Sequence, residues 1–238
     1  MKKQLLDKNW SMHQVGKTEF LEARVPGSVY QDLLENGVMK DPFWKDNEIE
    51  ACRRMEEDYE YVGHFACEEA LWDSERILLR FDGLDTIADV TLNDIYLGST
   101  VNMHRVWEYD VKEFLRKEGN VLKILFHSPN RWIREAFENC KTMGQEDCME
   151  GFPHIRKAHC MFGWDWGPHL PDAGIFRPVS LIGIDKGRID SVYIRQEHER
   201  TDETEAGTVR PMVKSVQLTF AVTEEIAQTE DGKPKLVD

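Results

Sequence analysis

Two of the seven tryptophans flank a single carboxylate in the run Trp164-Asp165-Trp166. Gly163 and Gly167 bracket the three residues, and Pro168 and Pro171 follow. Glycine and proline punctuate a chain, so these side chains are expected on a shaped loop and not inside a regular element. Indole faces beside a carboxylate suit a sugar. A pyranose offers an apolar C–H face to the indole and a rim of hydroxyl donors to the carboxylate. Charge-assisted bonds of that kind contribute about 1.5–3 kcal/mol each. Spacing alone favours a second reading: a tight aromatic turn that plugs the end of a β-sandwich, since aromatic side chains mostly serve cores.

Other chemistries find little footing. Lys plus Arg number 30 against 44 Asp plus Glu, a net charge of -14. A nucleic-acid partner needs a basic patch, so this balance argues against one, and equally against an anionic membrane surface. The five cysteines, Cys52, Cys67, Cys140, Cys148 and Cys160, are an odd number without CxxC spacing. Reduced thiols in a cytoplasmic protein are the expectation. Cys148, His154, His159 and Cys160 fit no common zinc template, so neither metal nor cofactor is expected. The N-terminus begins basic but has no apolar run behind it, unlike a signal peptide, and no stretch is long enough to span a membrane. No serine-nucleophile elbow, phosphate-cradling glycine loop or cysteine–histidine pair stands out.

The elements that must position the turn read as an antiparallel β-sandwich. Residues 1–25 suggest one or two entry strands anchored by Trp10 and Phe20. Ser28 with Gln31 forms a capping box for a helix whose apolar face is Val29, Leu33 and Leu34, with Gly37 as its stop. A loop over Asp41–Glu48 and a charged, solvated connection over 49–60 follow. Period-two alternation then begins at Tyr61. Ile77, Leu79 and Phe81 share a face, as do Ala88, Val90 and Leu92, and Asn93-Asp94 signals a hairpin that ends at Leu97-Gly98. Asp110 caps a short helix ended by Gly119, residues 120–127 form a strand, and Ser128-Pro129-Asn130 opens another helix. There Trp132, Ala136 and Cys140 recur at helical spacing and read as core contacts. Residues 141–154 read as a loop. Residues 176–185 close the sandwich, with Pro178 at an edge or strand start. After a boundary near Lys186, strands are expected at 190–196 and 214–222 with a polar loop over 197–209 between them. Two strands do not make a stable unit.

The run Phe162–Pro168, followed by Gly174–Val179, resembles the signature loop of the β-mannosidase branch of glycoside hydrolase family 2. Val25–Glu48 is similar to that family's VPGxV…DLL…DPF…DNE string. Gly83–Asp94 follows its Gly-Leu-Asp-Thr pattern, except that Asp94 stands where the family has Gly, and Tyr59 replaces the Trp of its Asp-Trp-Glu-Tyr string. The resemblance implies an all-β fold: a jelly-roll, galactose-binding-domain-like sandwich with a few short helices over 1–186. Over 187–238 it implies the first strands of a truncated immunoglobulin-like sandwich. It also implies a retaining β-mannosidase whose two catalytic glutamates reside in a (β/α)₈ barrel. Such a barrel needs about 250 residues of alternating strands and helices, and that alternation is missing here. The chain alone is therefore expected to be inactive. Its partners would be the terminal mannose of a β-mannoside and the C-terminal barrel of the same protein.

Carried over by residue, Trp164 would wall the sugar subsite, Asp165 would accept from sugar hydroxyls and Trp166 would support the loop. Arg156 and His159 lie close in sequence, but no motif demands them, so they read as plain loop residues. The rival readings are an autonomous carbohydrate-binding module, a structural brace that leaves sugar alone, and a β-galactoside or β-glucuronide substrate.

Overall fold

The computed structural model describes residues 2–164, 167–201, 204–205, 208–209 and 212–226. Clustering of the backbone divides the chain into two compact units, residues 2–183 and the residues from 184 onward.

The first unit opens with β1 (Lys2–Leu5), β2 (Trp10–Gln14) and β3 (Leu21–Ala23). Helices α1 (Val29–Glu35) and α2 (Asn47–Arg54) precede β4 (Tyr59–Phe65). After the single turn of α3 (Glu69–Trp72) come β5 (Arg76–Phe81), β6 (Ile87–Leu92), β7 (Ile95–Val101), β8 (Trp107–Asp110) and β9 (Asn120–Phe126). Helix α4 (Pro129–Asn139) leads to two 3₁₀ turns, Phe152–His154 and His159–Met161. The short strands β10 (Phe162–Trp164) and β11 (Gly167–His169) then pair, and β12 (Val179–Ile184) follows.

The strands assemble into a four-stranded sheet, β1-β12-β5-β8, and a six-stranded sheet, β3-β2-β4-β9-β6-β7. Period two decides which side chains meet between them. Met12, Tyr61, Val90 and Ile124 of the larger sheet share one buried cluster with Ile77, Leu79, Phe81 and Leu181 of the smaller. Each such apolar side chain contributes about 1.5–3 kcal/mol when fully buried. The result is the jelly-roll sandwich expected for the sandwich domain. The Asn93-Asp94 turn has both residues at positive φ, the conformation a two-residue hairpin between right-twisted strands requires.

Several expectations need correction. Phe20 is 53% exposed and its ring meets that of His13, so of the two expected anchors only Trp10 is buried. Leu34 is also exposed, and the polar Asp32 takes the inward place on α1. The Ser28 hydroxyl does accept from the Gln31 N–H, but the Gln31 side chain turns forward to Glu35 and leaves the capping box half made. The charged stretch 49–60 is not a solvated connection. It carries most of α2 and the start of β4, with Ala51, Met55 and Tyr59 buried. Gly98 lies inside β7 at a register shift and does not end the hairpin. On α4 the inward residues are Pro129, Asn130 and Ile133, while Trp132 is 39% exposed and Cys140 is exposed. Asp110 and Val111 begin only a turn, in which the Phe114 and Leu115 N–H groups both donate to the Val111 carbonyl.

In the second unit, β13 (Gly187–Thr201) pairs antiparallel with β16 (Met212–Ile226), and β14 (Thr204–Glu205) pairs with β15 (Thr208–Val209). Residues 197–201, expected as loop, continue the β13 ladder. Charged side chains are tolerated there because those strand positions are open to solvent.

Candidate functional site

The Trp164-Asp165-Trp166 run begins at the end of a hairpin. β10 and β11 pair Phe162 with His169 and Trp164 with Gly167. Asp165 and Trp166 lie outside the described residues. Trp164 is therefore the last residue of a strand and not a loop residue, and it is 36% exposed.

The base of this hairpin is built on a second, smaller core. Phe162 is fully buried with Ile87, Ile133, Cys148, Phe152 and Ile155. Around it the backbone is tied down. The Met149 N–H donates to the Phe162 carbonyl at 2.9 Å, and the Leu170 N–H to the Met161 carbonyl at 2.8 Å. The Cys148 thiol donates to the Gly163 carbonyl at 3.3 Å. Gly163 has φ +87°, and a Cβ there would fall 2.5 Å from the His169 imidazole. Only glycine satisfies both the dihedral and the approach. His169 in turn bonds the Glu48 carboxylate through Nδ1 at 3.1 Å and the Asp147 carbonyl through Nε2 at 3.0 Å.

The segment after the hairpin is fixed by motifs distant in sequence. Asp85 and Gly174 exchange both backbone hydrogen bonds at 2.9 Å. The Gly27 N–H donates to Ile175 and the Val29 N–H to Ala173. A Cβ on Gly174 would meet the Ser28 backbone at 2.7 Å, so this crossing also requires glycine. Beneath it, the buried Lys157 ammonium pairs with the Asp85 carboxylate and donates to the Asp172 carbonyl at 2.7 Å. The Asp172 carboxylate accepts from the Tyr30 and Ala173 N–H groups. Desolvation outweighs those bonds and raises its pKa to about 6. Asp32 shows the same balance: it accepts from Tyr61 Oη at 2.6 Å and Arg24 N at 2.9 Å, yet desolvation holds it at about 6.

Other expected residues go elsewhere. His159 Nε2 bonds the Ile155 carbonyl and its ring meets Phe152 edge-on. The Arg156 carbonyl accepts from the Met103 N–H. Among the described residues no cluster of three metal-ligating side chains occurs. His154 bonds Thr142 and Cys148 bonds Gly163, so those two side chains have separate partners. All five cysteines are free thiols. No described helix is long and apolar enough to cross a membrane. Beside the hairpin runs an apolar groove of about 550 Å³, lined by Tyr30, Leu34, Phe43, Met161, Pro168 and Leu170 among others. Phe43 is 76% exposed along it.

Sequence reasoning missed Glu48, His169, Asp172 and the Lys157–Asp85 pair as supports of the hairpin and of the segment that follows it. Glu48 stands in a string singled out only by resemblance, and its partner lies 121 residues away. No local pattern reports such a pairing.

Comparison with known proteins bears on this arrangement. Residues 10–177 match the family model described as the glycosyl hydrolase 2 galactose-binding domain-like domain. A β-mannosidase of Capra hircus is 31% identical over 183 residues, covering 73% of this chain and 20% of that protein. A β-mannosidase of Mus musculus is 28% identical over 244 residues, covering 95% and 27%. The crystal structure of a β-D-mannosidase from Dictyoglomus thermophilum superposes with a TM-score of 0.82 at 31% identity, over 95% of this chain and 26% of that one. The chain thus spans about a fifth to a quarter of the length of these relatives. With the family model matched across most of the sandwich, the chain belongs to the glycosyl hydrolase 2 galactose-binding domain-like family.

Proposed function

We propose that this chain is the N-terminal, non-catalytic sugar-binding portion of a retaining β-mannosidase. In this reading Trp164, Asp165 and Trp166 contribute to the subsite that holds the terminal mannose of a β-mannoside. A C-terminal (β/α)₈ barrel of the same protein supplies the two catalytic carboxyl groups. The observation that carries the reading is the likeness to the Dictyoglomus β-D-mannosidase across 95% of the chain. A rigidly based hairpin at the Trp-Asp-Trp run supports it. A subsite gains most when its groups are held in place before substrate arrives.

Residues 187–238 belong in this reading to the opening of an immunoglobulin-like sandwich. Val192, Ile194, Val216, Leu218, Phe220 and Val222 share one face of the β13/β16 hairpin and are exposed. A second sheet would cover such a face. Free thiols are compatible with a cytoplasmic setting.

The test is a panel of aryl glycosides offered to this chain and to the longer protein that carries it. The longer protein should cleave the β-mannoside far faster than the β-galactoside or β-glucuronide, and the chain alone should cleave none. Preference for either of the other glycosides, or turnover by the chain alone, would overturn the reading.

A further inference from the structure

One side chain ties the end of the β10/β11 hairpin to two other parts of the fold. His169 closes β11, and both of its ring nitrogens face oxygen: Nδ1 the Glu48 carboxylate at 3.1 Å, Nε2 the Asp147 carbonyl at 3.0 Å. Its backbone N–H donates to the same Glu48 oxygen at 3.3 Å. A peptide carbonyl and an ionised carboxylate can only accept. A neutral imidazole has one N–H, so it satisfies one partner and turns a lone pair on the other. The imidazolium donates to both. Gly163 presses against the ring with no room for a Cβ, which keeps the imidazole between its two acceptors.

The charged surroundings are mixed. Helix α2 and the turn after it bring Glu48, Arg53 and Glu56 to the cavity that His169 lines. Cys52 is also there, its thiol pushed up by desolvation and hence neutral. The loop at 147–148 brings Asp147 and the neutral Cys148 thiol.

We propose that His169 is the positioning residue of this hairpin. Its two ring nitrogens tie the strand end to α2 through Glu48 and to the 147–148 loop through Asp147. It thereby sets the two points, Trp164 and Gly167, from which the Trp-Asp-Trp turn springs. The link to sugar rests on the function proposed above; the grip itself does not.

The test uses the 238-residue chain with ¹⁵N-labelled histidine. Glu48→Ala should erase the Nδ1–H resonance and speed amide exchange at Leu170 about tenfold, the effect of about one lost hydrogen bond. Glu48→Gln keeps an oxygen acceptor and should recover most of that protection. Asp46→Ala, two residues before Glu48 and with no side-chain cap bond, should change neither. Leu170 exchange unchanged within twofold in Glu48→Ala would overturn the assignment. None of these readouts involves sugar. If Asp165→Ala leaves glycoside cleavage intact while these results hold, the sugar reading fails and the grip stands.

Discussion

Two hairpins in this chain invert the usual relation between length and firmness. β10 and β11 have three residues each and two paired positions, yet Phe162 is fully buried and the strands are tied to α2 and the 147–149 loop. β13 and β16 have fifteen residues each and a long ladder with two register shifts, yet Phe220, among its apolar face, is 57% exposed. Backbone ladders exchange water hydrogen bonds for internal ones at small net gain, so side-chain burial decides which hairpin is rigid. A short hairpin on a dry base is held by its side chains; a long one with an open face has only its backbone ladder.

The contrast breaks most visibly at the two phenylalanines. Phe162→Ala should cost about 3–5 kcal/mol of unfolding free energy, read by urea denaturation of the chain. Phe220→Ala should cost less than about 1 kcal/mol in the same assay. Equal losses would mean that burial is not what separates the hairpins.

Next in size is the ion pair under the segment that follows the short hairpin. Lys157→Ala leaves Asp85 charged and buried, at a cost of about 3 kcal/mol. Lys157→Met with Asp85→Leu should recover much of that loss, because the desolvation of both charges is removed together. Failure of the double variant to exceed the single one would remove the pair from the account.

A smaller effect sharpens the comparison through pH. Asp32 and Asp172 hold protons up to about pH 6 in the folded chain, against 3.8 for an ordinary aspartate. The folded state then binds more protons than the unfolded one between those values. These groups therefore stabilise the fold fully below pH 3.8, and their contribution is lost as pH rises through 6. Comparing Asp32→Asn with the parent between pH 7 and pH 4.5 should show the parent gaining about 1–2 kcal/mol more on acidification. A parent that gains less than the variant would reverse the sign.

Much of the sandwich was legible because period-two alternation is a local signal. Ala88, Val90 and Leu92 point inward as their spacing demands, and Ser28 and Ser128 cap the helices they precede. Helix α2 was hidden because charged residues dominate it and only Ala51 within it is buried. Trp132 misled for the opposite reason: helical spacing says which residues share a face, but not which face the fold covers. The stretch itself was legible as a distinct feature from Trp164, Gly163 and Gly167, though all three lie in strands β10 and β11 and not on a loop. What holds it was not, since Glu48 with His169 and Asp85 with Lys157 are pairings made only by the tertiary fold.

The most direct test of the central claim is kcat/KM for an aryl β-mannoside in the longer protein carrying Asp165→Ala. Two charge-assisted bonds to sugar hydroxyls predict a fall of about 100-fold or more. A value within about threefold of the parent would contradict a sugar-holding role for the Trp-Asp-Trp turn and leave the domain a structural brace.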